Sequence, residues 1–339
     1  MKSKSKIDLE KIKNSNKLFM ENNSIEDRDI FDDKRLEYFE KKIENWLENV
    51  ETDEEKEIFL DLVKKYKYYN KITIANSFKR GFIRFKKIEP EHKDTIYMGV
   101  GSRGGVYNGS SELMPIFKRI NEIDKLRIAD KPKDFYGKYD LKSIKNIVLI
   151  DDIIGSGTTV KRYIDENLMI DCPEIIFGKK IYVICVIASE KAVSSLKGYY
   201  QHKKIPIEII FEQDIVKTFD IEKGLFTPEK TRINARKIVK KYDTKLARRK
   251  EEILGFKESQ ALVSFYHNTP NNTFPIFWQK EVVENNIVKV PWTPLLERDE
   301  GIEGLPERSK PTHENLKTII KQKKFKKLLL NKIFNIITK

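Results

Sequence analysis

One short stretch, residues 146–159, limits what this 339-residue chain can fold into more than any other. It reads Asn146-Ile147-Val148-Leu149-Ile150-Asp151-Asp152-Ile153-Ile154-Gly155-Ser156-Gly157-Thr158-Thr159. Ile147 to Ile150 are apolar without alternation, the pattern of a central parallel strand covered on both faces. The strand reads as residues 146–151 and ends in two adjacent carboxylates, after which a Gly-Ser-Gly turn opens a helix. Gly155 and Gly157 allow a tight turn and leave the backbone amides open to close approach. Amides at the start of a helix, aided by the helix dipole, form an anion site. Ser156, Thr158 and Thr159 add hydroxyl donors. Carboxylates suited to a polyol beside a cradle suited to a phosphate predict a sugar phosphate ligand. A Walker phosphate loop is excluded, because no Lys follows the glycines. The plainer alternative is a strand, turn and helix with an ordinary Asp pair beside the helix cap.

A second glycine loop lies upstream. Ile96-Tyr97-Met98-Gly99-Val100 reads as another short apolar strand and runs into Gly101-Ser102-Arg103-Gly104-Gly105. Arg103 offers a cation, and Gly104 and Gly105 offer exposed amides, a set that suits a doubly charged anion. Gly99, Gly101 and Gly104 also satisfy the G-x-G-x-x-G pattern of dinucleotide folds. That pattern needs a second strand ending in an acid about 20 residues on. Residues 114–120 instead read as a helix, followed by a charged loop, so the expectation goes against a dinucleotide site.

The order hydrophobic strand, Asp-Asp, two residues, small-Ser-Gly-x-Thr resembles the phosphoribosyl pyrophosphate (PRPP) motif of type I phosphoribosyltransferases. Residues 101–105 resemble the pyrophosphate loop of the same enzymes. The resemblance implies an α/β fold, a parallel sheet flanked by helices. It implies that Asp151 and Asp152 hold the ribose hydroxyls and that Gly155, Ser156, Gly157, Thr158 and Thr159 hold the 5′-phosphate. Ser102, Arg103, Gly104 and Gly105 would meet the pyrophosphate. Asp151, Asp152 and Arg103 would be the catalytic set, and Mg²⁺ would enter with the substrate, reached by the two acids through water. The interval 124–145 corresponds to a mobile lid in these enzymes; here it carries Lys125, Arg127, Lys131, Lys133, Tyr136 and Lys138. A plain surface loop with solvated lysines remains the alternative.

The rest of the chain divides by pattern into four parts. Residues 1–85 form an N-terminal helical region, residues 86–225 the phosphoribosyltransferase-like core, residues 226–304 a C-terminal α+β extension, and residues 305–339 a basic amphipathic tail. Within the first part, residues 1–25 read as weakly ordered. From residue 26 to 85 apolar residues recur at helix spacing, as in Phe39, Ile43, Trp46 and Leu47 and again in Phe59, Leu60, Leu62 and Val63. The core alternates strands 95–100, 146–151, 180–188 and 206–211 with helices 111–120, 158–166 and 190–198. Such alternation predicts ligands at the carboxyl ends of a parallel sheet.

Composition narrows the setting. No segment approaches the roughly 20 apolar residues of a membrane helix, and the first residues lack the apolar core of a secretory signal. Only two cysteines, Cys172 and Cys185, are present, which fits a reducing cytoplasm with buried thiols. His92, His202, His267 and His313 lack ligand spacing, so a protein-built zinc site is not expected. The net charge is +14, with 66 Lys and Arg against 52 Asp and Glu. The excess gathers at residues 230–250 and in the tail, which admits nucleic acid, an acidic surface or simple solvation.

Residues 261–278 run from an apolar strand into Asn268-Thr269-Pro270-Asn271-Asn272-Thr273 and then Phe274 to Trp278. The asparagine amides could meet a base or ribose edge, or bond their own backbone. Placed after a PRPP-like core, this segment resembles the phosphoribosyltransferase-like effectors of prokaryotic conflict systems, including those encoded beside retron reverse transcriptases. That resemblance implies an antiphage effector, a toxin acting on a nucleotide-type substrate. It implies as partners a reverse transcriptase and its DNA or RNA product, met through basic surfaces. A housekeeping salvage phosphoribosyltransferase and a non-catalytic nucleotide sensor stay open beside it, as does oligomer formation.

Overall fold

A computed structural model describes residues 8–101, 109–137, 140–284 and 287–298. The chain begins with α1 (Leu9–Asn22), whose first turn is capped by the Asp8 carboxylate accepting from the Glu10 amide at 3.0 Å. Residues 8–22 therefore correct the expectation of a weakly ordered start. Ile12 and Phe19 on this helix are fully buried, although Leu9 is exposed. Next come α2 (Asp27–Asp32), α3 (Phe39–Leu47) and α4 (Asp53–Lys65), the last opened by a Thr52–Glu55 capping box. A three-residue strand, β1 (Lys67–Tyr69), interrupts the expected helical run before α5 (Lys71–Ile88).

The described residues form two compact units. Residues 8–74 with 215–298 make one, and the described part of residues 75–214 makes the other, the chain passing between them inside α5 and again after residue 214. The second unit holds β2 (Thr95–Gly99), α6 (Gly109–Asn121), β3 (Ile128–Ala129) and β4 (Asn146–Ile154). It continues with α7 (Thr158–Arg162), a π turn (Tyr163–Leu168), α8 (Pro173–Ile176), β5 (Lys180–Ala188), α9 (Glu190–His202) and β6 (Ile207–Asp214). The five strands are parallel and ordered β3-β2-β4-β5-β6. This is the parallel sheet flanked by helices that the motifs imply.

Both faces of the sheet are covered, which is why its strands carry no polar alternation. On one face Ile147, Leu149, Val183 and Ile209 join Val160, Tyr163, Ile164 and Leu196 in a single apolar cluster. On the other, the Phe85 ring lies 4.8 Å from Tyr182, and Phe117 lies 5.8 Å from Tyr97 and 5.7 Å from Phe78. Gly81 brings α5 close on that side, since a Cβ there would sit 2.7 Å from the Ile184 methyl.

The interval expected to be a charged loop contains β3, paired with β2 through Tyr97–Ile128 and Met98–Ala129. A second strand therefore does follow α6, contrary to expectation, and an exposed Asp130 comes directly after it. Phe135 is fully buried and the Tyr136 hydroxyl donates to Glu174 at 2.6 Å, which anchors part of the interval. Lys138 lies outside the described residues.

In the first unit, helices from the start of the chain share a core with α10 (Glu229–Leu246) and α11 (Pro275–Trp278), and β7 (Val263–Phe265) lies between these two in the chain. The hairpin β8 (Glu281–Glu284) and β9 (Ile287–Pro291) follows. Trp46 packs between Phe59 and Phe277, with ring centroids at 4.7 and 5.0 Å, and its indole N–H donates to the Ile276 carbonyl at 2.7 Å. β1 pairs in parallel with β7 from Lys67–Val263 to Tyr69–Phe265. Inside α10 the wholly buried Asp243 accepts the Leu254 and Ile276 amides at 2.9 and 3.1 Å, while burial pushes its carboxyl well above the usual range.

Glu51 joins the N-terminal helices to α10. It accepts from Lys241 at 2.8 Å and Lys245 at 2.9 Å, and these bonds hold its carboxyl down at about 2. A depressed carboxylate contributes stability that is complete above its unfolded value of 4.5 and lost as pH falls toward 2. The pair is half exposed, so the contribution is below about 1 kcal/mol. The urea midpoint of wild type should exceed that of Glu51→Gln at pH 7, and the gap should close between pH 4.5 and 2.

Candidate functional site

β2 and β4 are neighbours in register from Thr95–Asn146 to Gly99–Ile150, and the Val100 amide adds one bond to the Ile150 carbonyl at 2.9 Å. There the pairing with β2 ends. β4 runs on beside β5 as far as Ile154–Ala188. Asp151 and Asp152 therefore lie inside the strand and not at its end, a correction to the expected 146–151. Past Ile150 two amides on β4 are met by side chains: the Asp152 amide donates to Asp151 at 3.1 Å and the Ile153 amide to Asp152 at 2.7 Å. The carboxylates are thus set by their own strand.

The strand order places this point at a topological switch. The first strand of the sheet, β2, sits between the second, β3, and the third, β4, so the connections leave β2 and β4 in opposite directions. In open α/β sheets ligands bind in the crevice opened at such a point. Gly101 leaves β2 there, and residues 155–159 leave β4 there. The two glycine loops, separate in sequence, start from adjacent strand ends.

Asp151 is 6% exposed and stands opposite Cys185 on β5. Burial, and then the charges of Asp151 and Asp152, push the Cys185 thiol well above its ordinary range. A thiol kept protonated is a poor nucleophile. Native protein treated with iodoacetamide at pH 7.5 should show no alkylation of Cys185 by peptide mass, and urea-unfolded protein should show complete modification.

In the loop, Ser156 and Thr158 share a hydroxyl–hydroxyl bond of 3.0 Å, and the Thr158 amide points at Ser156 Oγ at 3.4 Å. Gly157 has φ +72° and caps α7. A Cβ on it would lie 2.9 Å from Leu196, so glycine is required both by conformation and by space. Thr159 is exposed at the first turn. The expected helix 158–166 is real, but it changes from α to π at Tyr163. Gly101 lies against this turn, since a Cβ on it would be 3.5 Å from Tyr163 Cε2. Ser102, Arg103, Gly104 and Gly105 lie outside the described residues.

Among the described residues no group of three or more His, Cys, Asp or Glu could hold a metal. The two neighbouring carboxylates beside the glycine loop are a donor set that fits Mg²⁺, which keeps several waters and takes one or two carboxylates plus substrate phosphates.

The chain matches the PRTase-CE family model over residues 43–298, well over half of its length. It belongs to the PRTase-CE family. No curated protein matches it. The PRTase-CE match spans the sheet and most of the unit built on α3, α4, α10 and β7, so the flanking elements belong to the family's own extent. No helix among the described residues is long and apolar enough to cross a membrane.

Two sequence features of this PRTase-CE chain take on structural roles. Thr273 Oγ1 donates to the Val263 carbonyl at 2.6 Å, the Asn268 side chain accepts the Thr269 amide at 2.7 Å, and the Trp278 indole donates to the Thr273 carbonyl at 2.9 Å. The Asn271 and Asn272 carbonyls accept the Phe256 and Ala261 amides. The segment therefore spends much of its polarity on its own unit. Most of the basic cluster in residues 230–250 is also neutralised: Lys241 and Lys245 meet Glu51, Arg232 meets Glu229, Arg236 meets Glu258, Arg248 meets Glu281 and Arg249 meets Glu252. Lys237 and Lys240 are exposed. Residues 305–339 lie outside the described residues.

Proposed function

We propose that this chain binds PRPP, or a closely related nucleotide-type ligand, in the crevice between β2 and β4 and transfers its ribosyl phosphate. The observation that carries the reading is the convergence at one switch point of the Asp151–Asp152 pair and the Gly157 loop, beside the departure of Gly101. The 5′-phosphate would lie on the amides and hydroxyls of Gly155, Ser156, Gly157, Thr158 and Thr159. The ribose hydroxyls would lie on Asp151 and Asp152, and the pyrophosphate against Ser102, Arg103, Gly104 and Gly105. Asp151 and Asp152 would hold Mg²⁺ through water, and the ion would neutralise charge on the departing pyrophosphate.

In the transfer the bond from C1 to the pyrophosphate oxygen breaks and pyrophosphate leaves with the bonding pair. Positive charge builds on C1 and the ring oxygen. Asp151 and Asp152, fixed close to the ribose, stabilise that charge without reorganising. An acceptor nucleophile then bonds to C1, and orientation supplies most of the remaining rate.

The biological role proposed is that of an effector in a bacterial antiphage system of the retron type, with a reverse transcriptase and its nucleic-acid product as partners. The PRTase-CE match across the Asn268–Trp278 segment supports this over a compact salvage enzyme. Purified protein incubated with Mg²⁺, PRPP and a panel of bases, nucleotides and NAD should release pyrophosphate and yield a product heavier by one ribosyl phosphate, read by mass. Tight PRPP binding with no pyrophosphate release from PRPP in the presence of any acceptor would sink the transferase reading and leave ligand sensing.

A further inference from the structure

Helix α9 grips the helical segment that follows the phosphate loop at three successive points. At the loop itself, Leu196 fills the space a side chain at Gly157 would need. One turn on, the Tyr200 hydroxyl donates to the Lys161 carbonyl at 3.2 Å. At the π turn, the Asp165 carboxylate, only 9% exposed, accepts from Tyr199 at 2.8 Å, Tyr200 at 3.3 Å and Lys203 at 3.1 Å. The Tyr199 ring in turn carries the ammonium groups of Lys161 at 3.5 Å and Lys203 at 4.4 Å from its centroid.

This arrangement is more than packing requires. A buried ion pair adds little net stability, because desolvation offsets most of the attraction. Its distinct contribution is directional, since Tyr199 and Tyr200 on α9 and Lys203 at the end of that helix fix both the rotation and the height of the carboxylate they share. The carboxylate sits on a π turn, a distortion of the helical ladder that recurs at functional sites. The segment it fixes is the one whose first amides form the end of the loop, where Ser156 and Thr158 share their hydroxyl bond.

We infer that Asp165 is a positioning residue for the 5′-phosphate: through Tyr199, Tyr200 and Lys203 it locks the loop-bearing segment to α9 in the geometry that receives the phosphate. This rests on the reading of residues 155–159 as a sugar-phosphate loop. Its effect should be confined to the phosphate end of the ligand. The pyrophosphate end departs from β2, which α9 does not hold in this way.

The test compares ribose 5-phosphate and magnesium pyrophosphate as separate ligands by calorimetry on the full chain. Asp165→Asn combined with Lys203→Met removes both charges and leaves neither partner buried alone. Ribose 5-phosphate affinity should fall about tenfold, with pyrophosphate affinity within twofold of wild type. Tyr199→Phe keeps the charges and the ring and should fall about threefold for ribose 5-phosphate alone; it decides the matter if the double variant does not fold. Unchanged ribose 5-phosphate affinity in a folded variant overturns the inference, as does an equal loss for both ligands. Failure of wild type to bind ribose 5-phosphate overturns the sugar-phosphate reading itself, and the inference with it.

Discussion

Asp151→Asn combined with Asp152→Asn is expected to abolish PRPP binding while leaving the fold intact. Each carboxylate would accept charge-assisted hydrogen bonds from the ribose or from waters on Mg²⁺, worth about 1.5–3 kcal/mol apiece. Loss of both should weaken binding by about a hundredfold to ten-thousandfold. Asparagine retains one oxygen, so the bonds from the Asp152 and Ile153 amides have acceptors in the variant. Calorimetry with PRPP and Mg²⁺ reads the binding, and circular dichroism with thermal melting reads the fold. Wild-type-like affinity in the double variant would remove the acid pair from the ligand site.

Gly157→Ala should be the most damaging single change in the loop. At φ +72° an L side chain costs about 1–3 kcal/mol. Its Cβ would also meet Leu196 Cγ and Cδ1 at 2.9 Å, and overpacking of this kind costs about 1–3 kcal/mol more. The melting temperature should fall by about 5–15 °C, and ribose 5-phosphate binding should disappear as the loop turns away. The two causes are separable. Leu196→Ala relieves the clash at the cost of a buried side chain, so measured against Leu196→Ala alone the Gly157→Ala penalty should be about half of that in the wild-type background, with the affinity still lost. An alanine variant as stable as wild type would mean that the loop adopts another conformation in solution.

The parts of this fold that could be read from sequence are those whose cause is local. The apolar run Ile147–Ile150, the glycines and the Asp pair declare a buried strand and an anion loop within 14 residues. β5, nine residues of nearly unbroken apolar character, needs no partner to be recognised. β1 and β3 fall outside that reach. They are three and two residues long, and each exists because another strand presents its edge. For β1 that edge is Val263–Phe265, roughly 200 residues away along the chain. α1 was hidden for a related reason, because only Ile12, Ser15 and Phe19 of its 14 residues are buried and most of the rest is polar.

The functional residues divide in the same way. Asp151, Asp152 and Gly155 to Thr159 carry their chemistry in an ordered string, so the sequence by itself determined what kind of ligand such a loop could hold. It also determined that a second glycine loop would follow another strand. Only the tertiary structure decided that the two strands are adjacent, with β2 ending opposite Ile150 while β4 continues through the acid pair. Only it decided that Cys185 would stand opposite Asp151, Leu196 against Gly157 and Asp165 beneath Tyr199 and Tyr200, and that the asparagine segment and most of the α10 charge would be spent on their own unit. Hydrogen-bonded ladders and side-chain packing join residues far apart in the chain. Their energy depends on where the partners come to lie, which no local pattern records.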